Sequence, residues 1–284
     1  MAIVDLGVIT AERLINDEVL QKAITAEVRE RAQAEANLLN EAVISKADMH
    51  GDLELVIPGI DAASVHEDVG EGQVVSLTNA KMSSKVLELK KHTGVIALTD
   101  EAVIRSGAHG INAIDLQMRQ IEYGLANLID KQIVEALKET PQGGTPITFA
   151  TDNIYDAFAE AETKIEKDIT AIVCSPQCRT KIFSNVNKVS FTGSSPANPY
   201  VGTVLPGANV PIIASRAVTS NDMFFVSSKL DAVIFGEGAP IRRVWDDAAA
   251  GTTNMRIDNF TGALSNYWQT AGNESAAVVR TSWV

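Results

Sequence analysis

The residues of this chain that could do chemistry are few, and their spacing forms no working pair. All four histidines, His50, His66, His92 and His109, are scattered through turn-forming segments of the first half, with no two at metal-ligand spacing. Cys174 and Cys178 lie in IVCSPQCRT, at what reads as a strand end and helix start, without the second pair of soft ligands a zinc site needs. They read as reduced structural thiols. The adjacent carboxylates Glu67–Asp68 and Asp246–Asp247 sit in Gly-rich or Ala-rich surroundings and read as solvated turns, not as an acid–base couple. Gly236-Glu-Gly-Ala-Pro is a turn signal. There is no Gly-x-x-x-x-Gly-Lys phosphate loop, no Gly-x-Gly-x-x-Gly after a strand and no Gly-x-Ser-x-Gly elbow. The sequence therefore offers no catalytic residue, no cofactor-binding residue and no metal ligand, and it points away from an enzyme.

Charge points away from nucleic-acid recognition as well. Lys and Arg number 24 against 36 Asp and Glu, a formal net charge of -12. Binding to phosphate depends on clustered cations, and the densest basic pieces are the isolated pairs Lys90–Lys91 and Arg242–Arg243, which read as solvated strand edges. No run of 18 apolar residues occurs, and the start after Met1 is acidic and mixed. A soluble protein made in a reducing compartment is expected, with no membrane partner. Asn259-Phe-Thr and Asn273-Glu-Ser match the glycosylation pattern by chance.

The elements are more informative than the sites. In INAIDLQMRQIEYGLANLIDKQIVEALKE, Ile114, Met118, Ile121, Leu125, Leu128 and Ile129 recur at steps of four and three, extended by Ile133 and Leu137, and nothing breaks the pattern before Pro141. The spacing predicts one helix over most of Asn112 to Glu139, roughly 40 Å long. Its stripe drifts after Leu128, which argues against a coiled coil. A core helix of an α+β enzyme and the spine of a structural subunit remain.

Around this beam the chain changes character by segment. From Thr10 to Lys46 there is neither Gly nor Pro, and the apolar positions Ile15, Val19, Ile24 and Val28 are sparse. One or two surface helices that need a neighbour are expected there. LELVIP, QVVSL and KVLELKK, separated by Pro58-Gly59 and the acidic VHEDVGEG, read as hairpin strands with little core of their own. Helix and strand alternate from Thr145 to about Phe235. Asp152 can cap a helix carrying Ile154, Phe158, Ala161 and Ile165, ITAIVC is a buried strand, and Pro176 opens a further helix. VPIIAS, MFFVSS and DAVIFG follow as strands, and IRRVW, MRIDNF, LSNYWQ and AAVVRTSW close the chain as more strand.

This order, carried by KVLELKKHTGVIALTDEAVIRSG, IEYGLANLIDKQIVEAL and IVCSPQCRTKIF, resembles the tailed-phage major capsid proteins of the Hong Kong 97-like fold. The resemblance covers essentially the whole chain and implies an α+β protein in five parts. These are an N-terminal arm at 1–48, an extended β-hairpin (E-loop) at 49–84, a P-domain strand and spine helix at 85–144, an α/β A-domain at 145–235, and C-terminal strands at 236–284 that return to the P-domain. It further implies self-assembly of pentamers and hexamers into an icosahedral shell around double-stranded viral DNA, enclosed without sequence-specific binding. Location in the virion after assembly in the host cytoplasm follows, with a separate scaffolding protein or none, and with portal and decoration proteins as further partners. Some members carry a Lys–Asn cross-link; neither Lys81 nor Lys85 aligns to it, so that chemistry is not carried over. An encapsulin-type nanocompartment lacks its cargo-docking signature in residues 1–48, and a metabolic α/β enzyme would need a pocket with convergent polar groups.

Overall fold

The computed structural model describes residues 16–49, 51–60, 82–99, 101, 113–140, 147–149, 154–165, 167–186, 204–205, 208–219, 221–247, 249–266 and 277–283. Helix α1 (Glu18–Glu35) starts where the Asp17 carboxylate accepts the Leu20 N–H at 3.0 Å, one of the orphan donors of a first turn. Its buried stripe is Leu20, Ile24, Val28 and Ala32, at steps of four. Val19, read from sequence as part of the apolar face, is 76% exposed. Leu20 and Ala32 are the residues that make the face continuous. The partner this helix needs is also closer than expected. Its stripe packs on Ile114, Met118 and Leu125 of the same chain, so the described arm is covered from within.

A short strand β1 (Ser45–Ala47) leads to the antiparallel pair β2 (Glu54–Ile60) and β3 (Met82–Glu88), with Glu54 opposite Glu88 and Ile60 opposite Met82. Pro58, expected to separate strands, instead lies inside β2 opposite Ser84. In a two-stranded ribbon each strand keeps one unpaired edge, where a missing N–H costs no ladder bond. The expected strand QVVSL and the acidic tip lie outside the described residues.

After β4 (Lys90–Thr99) comes helix α2 (Ala113–Glu139), 27 residues without a break. Ile114, Met118 and Leu125 belong to one buried cluster, whereas Ala126, Ile129, Ile133, Val134, Ala136 and Leu137 belong to another. The drift of the stripe marks the point where the helix passes from the first core to the second, and it leaves Leu128 partly exposed, at 38%.

The remaining elements are β5 (Ile147–Phe149), α3 (Ile154–Lys164), β6 (Ala171–Cys174), α4 (Pro176–Val186), β7 (Val204–Leu205), β8 (Val210–Ala214), β9 (Asp222–Val226), β10 (Val233–Glu237), β11 (Ile241–Asp247), β12 (Thr252–Ser265) and β13 (Val278–Trp283). One sheet runs β1-β10-β12-β11, with β4 on the other side of β12, and a second runs β5-β13-β9-β6-β8-β7. Two expectations shift here. DAVIFG forms β10 in the first sheet and not in the α/β unit, because its alternate residues Val233 and Phe235 complete the core beneath α2. The last strand does not return to the first sheet with β11 and β12. It lies between β5 and β9, where Val278 and Val279 enter cores on opposite faces, as a central strand requires.

Candidate assembly interface

The residues singled out for chemistry are not brought together. His92 is half-buried on β4, and its Nε2 lies 3.0 Å from the Gln132 side-chain nitrogen; burial pulls its pKa down, favouring the neutral ring. His50, His66, His109 and Glu67–Asp68 lie outside the described residues. Asp246 and Asp247 are exposed, as expected, but end β11 rather than lying in a loop. Cys174 and Cys178 are free thiols, both fully buried. Among the described residues no group of three His, Cys, Asp or Glu could hold a metal ion. An open cleft of about 630 Å³ lies between the end of α1, the middle of α2 and the start of α4, lined by Asn37, Tyr123, Asn127, Asp130, Arg179 and Arg216. Its Asp130 accepts the Leu38 N–H at 3.0 Å and the Ser215 hydroxyl at 2.6 Å, and burial pushes its pKa up. That carboxylate ties α1's exit to α2 and β8.

Buried polar groups hold α2 to the first sheet in the same manner. The Gln132 amide donates to the Thr261 carbonyl at 3.2 Å and accepts from the Thr261 hydroxyl at 3.0 Å. Nearer the helix start, Arg31 of α1 faces three carboxylates: Glu27, Asp115 at 3.5 Å and Glu122 at 3.6 Å. Glu122 is buried, with Oε1 lacking a hydrogen bond, and desolvation raises its pKa against the pull of Arg31. Gln132 fixes one register between α2 and the first sheet, and Arg31 one between α1 and α2, since a slip would leave these groups unpaired.

The feature with the most consequence is the seat of the hairpin. Gly236, Gly238 and Gly262 form a flat patch under Leu87 and Leu89. A Cβ at Gly236 would stand 2.8 Å from Leu87 Cδ2, and one at Gly262 would overlap the Glu88 carbonyl oxygen. These glycines are present for close approach of backbone and side chain, not for a turn. In the sequence Gly236-Glu-Gly carries only a turn signal, and Gly262 carries no local signal. Lys85 secures the same base by donating to the Ser265 carbonyl at 2.7 Å.

Beyond this base the ribbon has two unlike faces. Leu87 is buried on the inner face. On the outer face Val56 is 61% exposed and lies opposite Val86, with Pro58 and Ser84 beyond and the Glu54–Glu88 pair before it, all exposed. The outer face of the first sheet is similarly open where the hairpin does not reach, at Val95, Ile241, Arg243 and Trp245. A monomer that leaves an apolar ribbon and a sheet face uncovered presents surfaces for association.

An α+β fold of helical arm, projecting ribbon, long helix on one sheet and a second α/β layer is that of a shell subunit. Solved structures share it: one from the Mycobacterium phage Che8 matches at 15% identity and TM-score 0.58, covering 81% of this chain and 84% of that one. A capsid structure of the cyanophage P-SCSP1u matches at 13% identity and TM-score 0.61, covering 85% and 86%. A virus-like particle from Pyrococcus furiosus matches at 10% identity and TM-score 0.55, covering 92% and 98%. At such identities the likeness establishes the fold. No curated protein matches the sequence. The family described as phage capsid protein matches residues 83–272, and the chain belongs to that family. Its role is structural, that of a major capsid protein with the Hong Kong 97-like architecture.

Proposed function

We propose that this chain is the coat subunit of a closed icosahedral shell of pentamers and hexamers that encloses double-stranded DNA in a tailed-phage virion assembled in the host cytoplasm. In that role residues 1–48 serve as arm, 49–84 as extended loop, 85–144 as strand and spine, 145–235 as the α/β A-domain, and 236–284 as returning strands. Within 236–284, β11 and β12 pair in the first sheet and β13 pairs with β9 in the second. Scaffold, portal and decoration proteins are the natural further partners. The subunit acts by containment and carries no enzymatic step.

The observation that supports this most is the hairpin. Its base is anchored on glycines, while Val56 and Val86 on its outer face remain 61% and 42% exposed. A two-stranded ribbon with an apolar outer face is stabilised by a neighbour's surface. The net charge of -12 suits a wall that does not bind its contents tightly. Deleting Ala62 to Leu77 tests the reading. Circular dichroism should report a folded subunit, and sedimentation should report no shells; shells of normal size from the deleted chain would contradict it.

A further inference from the structure

The two larger sheets end on strands of unequal length. At their edges β1, β5 and β7 have three, three and two residues, and Gln117 of α2 fills part of the edge of β4. β11 has seven residues, Ile241 to Asp247, and pairs with β12 alone. Among the described residues, 241–246 make no backbone hydrogen bond outside that ladder, while the Asp247 carbonyl accepts the Ala250 N–H at 3.1 Å. Ile241, Arg243 and Trp245 to Asp247 are exposed. A row of outward N–H and C=O groups of this length is a template for a further strand.

The charges of this edge are the basic and acidic pairs that the capsid role leaves unused. Along Ile241-Arg-Arg-Val-Trp-Asp-Asp the sign reverses about the middle of the strand. Arg242 donates to Glu18 at 2.9 Å, but among the described residues Arg243, Asp246 and Asp247 have no ion-pair partner. Charged side chains guard an edge against pairing. A guard of one sign repels every copy of itself, whereas a strand whose sign reverses repels a parallel copy and attracts an antiparallel one. Two identical strands pair antiparallel about a two-fold axis normal to the sheet, so one residue faces its own counterpart. An axis at Arg243 would set guanidinium against guanidinium, and one at Trp245 would leave Ile241 and Arg242 unmatched. An axis at Val244 uses the whole strand. Arg242 then lies opposite Asp246 on the face that bears Val244, and Arg243 lies opposite Trp245 on the other, with Asp247 diagonal to it; each pair occurs twice. A guanidinium over an indole ring gains cation–π attraction.

We propose that β11 pairs edge to edge with β11 of a second copy of the chain, antiparallel about a two-fold axis at Val244, so that the first sheets of two subunits become one. This rests on the shell reading above, since a closed icosahedral shell contains two-fold axes, and it names the edge that a subunit presents there. A seven-residue edge is smaller than a standard interface, so the contact holds by repetition around the shell.

A charge exchange tests it in the full-length chain. Asp246→Arg with Asp247→Arg makes both ends of the edge positive; circular dichroism should be unchanged, and the subunit concentration needed for assembly should rise on the order of tenfold at low salt. Adding Arg242→Asp and Arg243→Asp to the same chain inverts the pattern and should restore assembly. Assembly of the first variant at the wild-type concentration, or failure of the exchange to restore it, would overturn the proposal. A second readout leaves the charges in place. Val244→Cys, assembled and treated with a short bis-maleimide, should run on a denaturing gel as a dimer with no larger product, because each subunit has one such contact and the buried Cys174 and Cys178 do not compete. Shells that give no dimer, or a ladder of higher products, would sink this contact and spare the capsid function; wild-type chain that never forms shells would overturn both.

Discussion

Gln117 of α2 meets Ala97 of β4 as one strand meets another. Its side-chain oxygen accepts the Ala97 N–H at 2.8 Å, and its nitrogen donates to the Ala97 carbonyl at 2.8 Å. The amide thus occupies the free edge of β4 where a further strand would pair, and it fixes the height of the spine helix above the sheet. Gln117→Ala should lower stability by about 1–2 kcal/mol, the cost of two unmet backbone groups in a half-buried site. Gln117→Glu should lose the donated bond and repel the carbonyl. Urea unfolding of the three proteins measures both effects, and an unchanged midpoint for Gln117→Ala would show that water replaces the amide without cost.

At the hairpin seat, Gly262→Ala places a methyl group against the Glu88 carbonyl, which belongs to the backbone and cannot swing away. Overpacking of this kind costs about 1–3 kcal/mol. The base of the ribbon should lift, so hydrogen exchange at Leu87 and Leu89 should rise more than exchange in α2. Equal protection in both proteins would mean that the ribbon absorbs the methyl group.

Leu125 lies midway along α2, and Leu125→Pro would remove a helical hydrogen bond and clash with the preceding turn at a cost of about 3 kcal/mol or more. Soluble expression should collapse. Normal assembly of this variant would contradict a continuous helix from Ala113 to Glu139.

Two acids give opposite pH responses. Burial alone would raise the pKa of Asp258, but hydrogen bonds from Thr93, Arg256 and Lys91 outweigh it and hold the carboxyl at about 2, below the ordinary 3.8. The unfolded chain then takes up the proton first, so this carboxylate's contribution is complete above about pH 4 and is lost as pH falls through 2. Glu122 runs the other way. Burial raises its folded pKa, so its charge opposes folding at neutral pH, and stability is regained as pH falls through the raised value. Glu122→Gln should be more stable than wild type at neutral pH by on the order of 1 kcal/mol, with the gap closing in acid. Thermal melts from about pH 7 down to about pH 2 follow both residues; a constant gap between Glu122→Gln and wild type would assign the Gln effect to packing.

The beam was legible because Ile114, Met118, Leu125, Ile129, Ile133 and Leu137 are large, apolar and helically spaced. Its length followed from the same pattern, and LELVIP and KVLELKK were legible as strand, though their pairing was not. What the sequence hid is long-range. Nothing local distinguishes Val19 from Leu20 until the position of α2 is known. Gly236 resembles a turn glycine until Leu87 lies across it. The assignment of β10 and β13 to their sheets depends on which core each strand completes. The open faces were hidden for a further reason: the cross-strand pairs Glu54–Glu88 and Arg243–Arg256 exist only once the register is set.

The most direct test is electron microscopy of the purified full-length chain at concentrations spanning its assembly range, with and without a candidate scaffold. Closed particles of uniform diameter with icosahedral symmetry are expected, each built from copies of this subunit. A folded monomer that melts cooperatively and forms no shell under any of these conditions would contradict the central claim.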